Sequence, residues 1–214
     1  MSQVLDLFSI CGKTALITGA NGGIGGAMAE ALAEAGASII VLQVPGDPNA
    51  AATKEALARV QPPVSFAAYD CDLADEAAIL KTVAAIWDRD GREIDILVNC
   101  AGVSGHRPIL DVDTAFREKV VRINMTANYV LTQEVGKRMI ARTVCVRGTY
   151  ILTPLTQGYF DNEPGFKEYI LSRTPMGRWG EPKDFKGITV FFCSPASDYI
   201  TGVRMPIDGG FHGR

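Results

Sequence analysis

Strand-length apolar runs alternating with Ala-rich helical stretches predict an α/β fold, a doubly wound parallel sheet covered on both faces. Three observations carry that expectation. The apolar runs are near-continuous, as strands buried on both faces require. Glycines cluster between the first run and the first helical stretch. With 214 residues, 47% hydrophobic and 21% charged, the chain has the size and composition of one soluble domain with its own core.

The predicted strands are "TALITG" (14–19), "ASIIVLQ" (37–43), "VSFAAYDCD" (64–72), "DILVNCAG" (95–102), "TVCVRG" (143–148) and "GVRMPIDGG" (202–210). Helices are expected near 24–36, 50–59, 74–90, 113–141, 164–172 and 182–194, with loops at "VPGDPN" and "QPP". No internal repeat or second domain interrupts this order. The five cysteines are isolated in apolar runs, so buried reduced thiols are expected rather than a disulfide framework or a metal site. A net charge of −3 without clustered Lys and Arg argues against nucleic acid as a partner, and the short basic group Lys137, Arg138, Arg142 and Arg147 reads as a solvated helix end. No apolar run approaches a bilayer span and the opening "MSQVLDLFSI" is not a signal peptide, so a cytoplasmic location is expected.

Gly19, Gly23 and Gly25 lie between a strand and an Ala-rich helix. Such glycines let the backbone turn sharply and bring amides against a pyrophosphate, while the helix N-terminus favours the anion. A Rossmann-like nucleotide site follows. An acid at the tip of the second strand selects NAD through the ribose hydroxyls, and an Arg nearby selects NADP. Here the tip reads Leu42-Gln43-Val44. Asp47 either swings in, favouring NAD, or serves only the turn in "PGDPN"; the cofactor is NAD or NADP with a lean to NAD.

The string Thr18-Gly19-Ala20-Asn21-Gly22-Gly23-Ile24-Gly25, "DCDLAD" around Asp72, Asn99-Cys100-Ala101-Gly102, Asn124 in "INMTANYVLTQEV", and the tail "GRWGEPKDFKG…FFCSPASDYITGVRMPIDGG" occur in one order. Together, over residues 8 to 214, they resemble the short-chain dehydrogenase/reductase family. The opening, the "GRWGEPKDFKG" stretch and the closing "DGGFHGR" are most similar to its gluconate 5-dehydrogenase and 2-deoxygluconate 3-dehydrogenase branch. The resemblance implies a nicotinamide dinucleotide and a sugar-acid or other hydroxyl or carbonyl substrate. It places Gly19, Gly23, Ile24 and Gly25 at the pyrophosphate and Asp72 with Leu73 beside the adenine, and Asn21 and Gln43 count among the expected cofactor-binding residues. It also implies that Asn99, Ala101 and Gly102 lie under the ribose, that Asn124 anchors a proton relay, and that Thr153 touches the nicotinamide end. Two plainer readings stay open: Asp72 caps the next helix, and Asn99 satisfies backbone groups between strands.

In the family a Tyr moves the proton, a Lys four residues on lowers its pKa, and a Ser holds the substrate oxygen. A phenol titrates near ~10 and serves as a base at neutral pH only beside a cation. None of the six tyrosines begins Tyr-x-x-x-Lys; Tyr169 with Arg173 is the nearest imitation, Tyr150 matches a packing position, and Ser104 reads as a loop residue. The expected strand–Ser–helix unit is replaced by "TVCVRGT", so the fold is expected to be one strand and one helix short. The chain then divides into a nucleotide-binding part (1–142), a junction (143–149) and a substrate-loop and C-terminal part (150–214). "TVCV" can fill one strand slot, letting the sheet close with one strand fewer. Loss of the covering helix is expected to expose an apolar patch and alter a homo-oligomer interface on the helix predicted over 113–141. The redox chemistry is expected to be lost or strongly impaired. The alternatives are a repurposed non-redox enzyme of isomerase or cyclase type and a non-catalytic nucleotide-binding partner of a longer relative.

Overall fold

The structure, a computed structural model, describes residues 4–105, 108–139, 145–148, 151–162 and 165–213. In chain order the regular elements are β1 (Thr14–Thr18), α1 (Gly23–Glu34), β2 (Ser38–Gln43), α2 (Ala50–Ala58), β3 (Phe66–Asp70), α3 (Glu76–Ala84), β4 (Ile96–Asn99), α4 (Thr114–Val121), α5 (Ala127–Gly136), β5 (Cys145–Gly148), α6 (Pro154–Asn162), α7 (Phe166–Arg173), α8 (Lys186–Cys193) and β6 (Arg204–Ile207). The expected α/β fold with a parallel sheet and helices on both faces is present. The predicted helix over 113–141 is α4 and α5 joined by a π turn, Arg122–Thr126. A second π turn, Ala85–Arg89, extends α3. Helix α6 falls in a stretch that the apolar periodicity left unassigned.

The first four strands pair in the order β3-β2-β1-β4, all parallel. Their apolar residues fill both faces: Ala15, Ile17, Ile39 and Val41 pack against α1, while Leu16, Ile40 and Leu42 pack with Ile79 and Val83 of α3 and Leu131 of α5. That two-sided burial is why these strands read as continuous apolar runs. Asp95 fixes the start of β4 beside β1, accepting from the Thr14 amide at 2.9 Å and pairing with Lys13 Nζ at 2.8 Å.

β5 does not join this sheet. It pairs in parallel with β6, Cys145 opposite Arg204 through Gly148 opposite Ile207, as a separate two-stranded sheet. The expectation that "TVCV" closes the sheet is therefore corrected. Just after β5 the backbone is tied to Gly180, in the segment that leads to β6. Ile151 bridges to Gly180, the Leu152 amide donates to the Gly180 carbonyl at 2.9 Å, and Ile151 and Ile207 pack with Met28 and Phe185. Val98 and Cys100 at the end of β4 join that same apolar cluster, so side chains rather than a strand ladder connect the two sheets.

The cysteine expectation is also corrected in part. Cys71 is buried and Cys100 and Cys193 are partly buried, but Cys11 is exposed beside Gly36 at the end of α1. Burial pushes the Cys100 thiol up to about 11 and that of Cys193 to about 12. Lys137 pairs with Glu134, and Arg138 pairs with Asp88 at 3.3 Å and lies over the Trp87 ring. Among the described residues no helix is long and apolar enough to cross a membrane.

Candidate nucleotide site

The site lies at the C-terminal ends of β1, β2, β3 and β4, where the loops leave a parallel sheet. Gly19 turns the chain with φ +72°, and a Cβ there would lie 2.8 Å from the Ala101 backbone. A Cβ at Gly25 would lie 2.1 Å from the Gly19 carbonyl oxygen. Only glycine permits this closeness at either position. The cap of α1, Gly22, has no side-chain hydrogen bond to its amides, and the first turn begins at Gly23, Ile24 and Gly25. Its leading N–H groups are thus the donors an anion would use. Thr18, fully buried, ties β1 to β4 by accepting from the Cys100 and Ala101 amides, each at 3.1 Å.

At the tip of β2 the side chains form a network that sequence spacing only partly anticipates. Asn21 Nδ2 donates to Gln43 Oε1 at 3.3 Å and to Asp47 Oδ2 at 3.0 Å, and Gln43 Nε2 donates to Asp70 Oδ1 at 3.0 Å. Asp47 also accepts from the Asn49 amide at 2.9 Å. It is both the turn former and the acid that reaches the loop. Asp70 escaped the sequence reading because only the parallel register of β2 and β3 brings it opposite Gln43. Two acceptors remain without a partner in buried positions here, Asn21 Oδ1 and Asn99 Oδ1. A buried acceptor left unpaired costs about 1–3 kcal/mol, so the site calls for donors. Ribose hydroxyls and the glycine cradle together fit a dinucleotide.

Asp72 closes a turn by accepting from the Ala74 amide at 2.9 Å, while the cap of α3 is Asp75, which accepts from Ala77. Leu73 lines a cleft of about 310 Å³ with Asp75, Arg122 and Thr126. Asn99 Nδ2 donates to Thr132 Oγ1 at 3.1 Å. Asn124, in the π turn, clamps the loop after β4: its Oδ1 accepts from the Val103 amide and its Nδ2 donates to the Val103 carbonyl, both at 2.9 Å. Gly102 lies against that carboxamide. The Asn124 carbonyl itself accepts from Asn128 Nδ2 at 2.9 Å, a contact no motif announced. Thr153 crosses from the other sheet, with its Cγ2 3.0 Å from where a Gly23 Cβ would be. The structure thus brings Asn21 to Gln43 and Thr153 to Gly23, while Leu73 lines a cleft separate from the groove that Asn21 and Gly23 line.

A groove of about 510 Å³ adjoins the loop between α1, α2 and Pro182–Lys186. Its lysines are committed to carboxylates, Lys186 to Glu30 and Glu34 at 3.0 Å each and Lys183 to Glu181 at 2.7 Å. Among the catalytic candidates, Ser104 is an exposed loop residue and Tyr150 lies outside the described residues. Tyr69 donates to Asp90 Oδ2 at 2.7 Å, and burial followed by that bond raises its pKa, the wrong direction for a base. Tyr169 is exposed, with the Arg173 guanidinium 5.9 Å from its ring centre and 5.6 Å from that of Phe211.

Residues 13–148 match the sequence profile of the short chain dehydrogenase family, and residues 141–212 match that of enoyl-(acyl carrier protein) reductase. The two profiles meet at 141–148, across β5. A 2-dehydro-3-deoxy-D-gluconate 5-dehydrogenase from Pseudoalteromonas atlantica is 32% identical over 264 aligned positions, covering 99% of this chain and all of the relative. One from Bacillus subtilis is 31% identical, with both chains fully covered. Since those alignments exceed the 214 residues present, the relatives carry positions that this chain lacks. Among solved structures, a short-chain type dehydrogenase/reductase from Mycobacterium marinum superimposes with a TM-score of 0.84 at 25% identity, covering 98% of this chain and 99% of that one. An Agrobacterium tumefaciens protein assigned as a 2-deoxy-D-gluconate 3-dehydrogenase, with NADP bound, gives 0.83 at 25% identity, covering 98% and 100%. The glycine loop, the strand order and these likenesses agree: the chain belongs to the short-chain dehydrogenase/reductase family of NAD(P)-binding oxidoreductases.

Proposed function

We propose that this chain binds a nicotinamide dinucleotide, NAD in preference to NADP, and that its hydroxyl or carbonyl redox activity toward sugar acids is lost or strongly impaired. The observation that carries the cofactor preference is the Asp47–Asn21–Gln43–Asp70 network. It offers acceptors to ribose hydroxyls, holds two carboxylates, and contains no Lys or Arg to meet a 2′-phosphate. Bound there, the nicotinamide ring supplies a hydride donor or acceptor. The chain's own residues do the rest: Gly23, Ile24 and Gly25 present amides, Asn21 and Asn99 present acceptors, and Asn124 holds the 103 loop in place.

Proton transfer is where the residues fall short. General acid–base catalysis is worth about 10²–10⁴-fold, and no Tyr in this sequence has a Lys four residues on. Of the described tyrosines, Tyr69 is tied to Asp90, Tyr169 has an Arg, which cannot give up a proton at neutral pH, and the exposed Tyr129 and Tyr199 have Gln133 and Val203 four residues on. Calorimetric titration with NAD and NADP tests the first half: NAD should bind at least about tenfold more tightly, a difference of ~1.4 kcal/mol. Nicotinamide absorbance with gluconate-type sugar acids tests the second, and brisk turnover would refute it.

A second reading, a nucleotide-binding partner of a longer relative, draws on one helix face. Val121, Met125 and Tyr129, four residues apart across the π turn, are 44%, 66% and 68% exposed. Sedimentation of the chain alone and mixed with a longer relative checks it, the expected result being a mixed species.

A further inference from the structure

We propose that Asp70 is a specificity-determining residue for the nucleotide, a positioning residue that acts through Gln43 and turns the tip of β2 toward ribose hydroxyls and away from a 2′-phosphate. The inference rests on the nucleotide reading above and concerns which residue sets its preference. β2 and β3 pair in parallel, with Ile39 opposite Phe66 and Gln43 opposite Asp70. Side chains alternate between faces along a strand, so residues four apart share one. Ile39 and Phe66 pack in the cluster on the α1 side of the sheet, and Gln43 and Asp70 therefore end that same face side by side. The register is held there by the Cys71 amide, which donates to the Gln43 carbonyl at 2.8 Å.

The two ends of the hydrogen-bond chain fix its direction. A carboxylate only accepts, whereas a carboxamide has a donating nitrogen and an accepting oxygen. Asp70 Oδ1 lies 3.0 Å from the Gln43 carboxamide, so the Gln43 nitrogen faces it and the Gln43 oxygen is left toward Asn21. At the other end Asp47 Oδ2 accepts from Asn21 Nδ2 at 3.0 Å, and the same nitrogen donates to Gln43 Oε1 at 3.3 Å. Asp47 is itself fixed by its turn, its other oxygen accepting from the Asn49 amide at 2.9 Å. Both carboxamides thus commit their nitrogens to carboxylates. What remains is an acceptor: Asn21 Oδ1 is buried and has no partner.

An acceptor so placed favours a hydroxyl, which can donate, and disfavours a phosphate, whose oxygens also accept. Asp47 sets the direction of Asn21, and Asp70 sets that of Gln43. Without Asp70 the Gln43 nitrogen loses its acceptor and becomes a donor that a 2′-phosphate can use. Asp70 is exposed, so its bare charge is screened by water and salt and counts for less than the hydrogen bond it makes. Orientation of Gln43, rather than repulsion at a distance, is therefore its contribution to the preference for NAD.

Calorimetric titration of NAD and NADP into single and paired variants tests this, read as the ratio of the two dissociation constants, which a loss of stability alone does not move. Asp70→Ala removes the acceptor and should lower the preference for NAD about tenfold. Asp70→Asn keeps an oxygen that accepts from Gln43 while losing the charge, and should lower it by no more than about threefold. In a Gln43→Leu background, where nothing links Asp70 to Asn21, Asp70→Ala should change the ratio by less than about twofold. Three results overturn the proposal: a ratio unchanged in Asp70→Ala, an equal fall in Asp70→Asn, or an undiminished effect of Asp70→Ala in the Gln43→Leu background. A native chain that binds neither nucleotide, or both alike, sinks the cofactor reading itself and this inference with it, whereas the three results above leave that reading standing.

Discussion

Gly25 holds the tightest approach in the site, 2.1 Å between an added Cβ and the Gly19 carbonyl oxygen. Gly25→Ala must push the loop off the helix end, and calorimetry should show nucleotide affinity reduced by about tenfold or more, a scale of ~1.4 kcal/mol. Asn124→Ala removes two hydrogen bonds to Val103 and leaves that backbone without its partner. Urea unfolding should register a loss of about 1–3 kcal/mol. Thiol labelling at mild alkaline pH should modify Cys11 and spare Cys100 and Cys193, whose burial keeps them protonated. At this scale the glycines, Asn99 and Asn124 could be singled out in the chain because their motifs are local and ordered, and the structure shows Asn124 holding the Val103 backbone. Asp70 and Asn128 were not: each acts through a neighbour supplied by sheet register or by a helix turn, and nothing in their own surroundings marks them.

The long helix 114–136 shows what element-level reasoning misses. Its apolar periodicity announced one helix, but the π turn at 122–126 inserts a wider coil where Asn124 must reach the 103 loop. Such turns recur at functional sites because they re-aim side chains. The start of α3 shows a smaller displacement, with Asp75 rather than Asp72 as the cap, and Asp75→Ala should cost about 1 kcal/mol in thermal unfolding. The C-terminal turn carries a pH dependence. Burial works to raise the Asp208 carboxyl, but hydrogen bonds from the His212 side chain and from the Gly210 and His212 amides outweigh it and hold it below its ordinary value. A group depressed in this way stabilises the fold above the unfolded aspartate range, and that contribution is lost as pH falls through the lower folded value. Urea melts taken downward from about pH 4 should show a steeper loss for the native chain than for Asp208→Asn.

For the molecule as a whole, the fold class, the succession of six strands and the family were readable from the chain alone, whereas α6 was not. Near-continuous apolar strands have only one economical arrangement, a parallel sheet covered on both faces, and the glycine loop locates its ligand end. The lack of Tyr-x-x-x-Lys was equally plain, because a helical pair at fixed spacing is a local feature. Tertiary structure decided what the junction does with the sheet. Among the described residues β5 pairs with β6, and Ile151 just after it packs with Met28 of α1, Phe185, and Val98 and Cys100 at the end of β4. Strand pairing between distant segments depends on where side-chain layers hold them, and a linear pattern does not encode that placement.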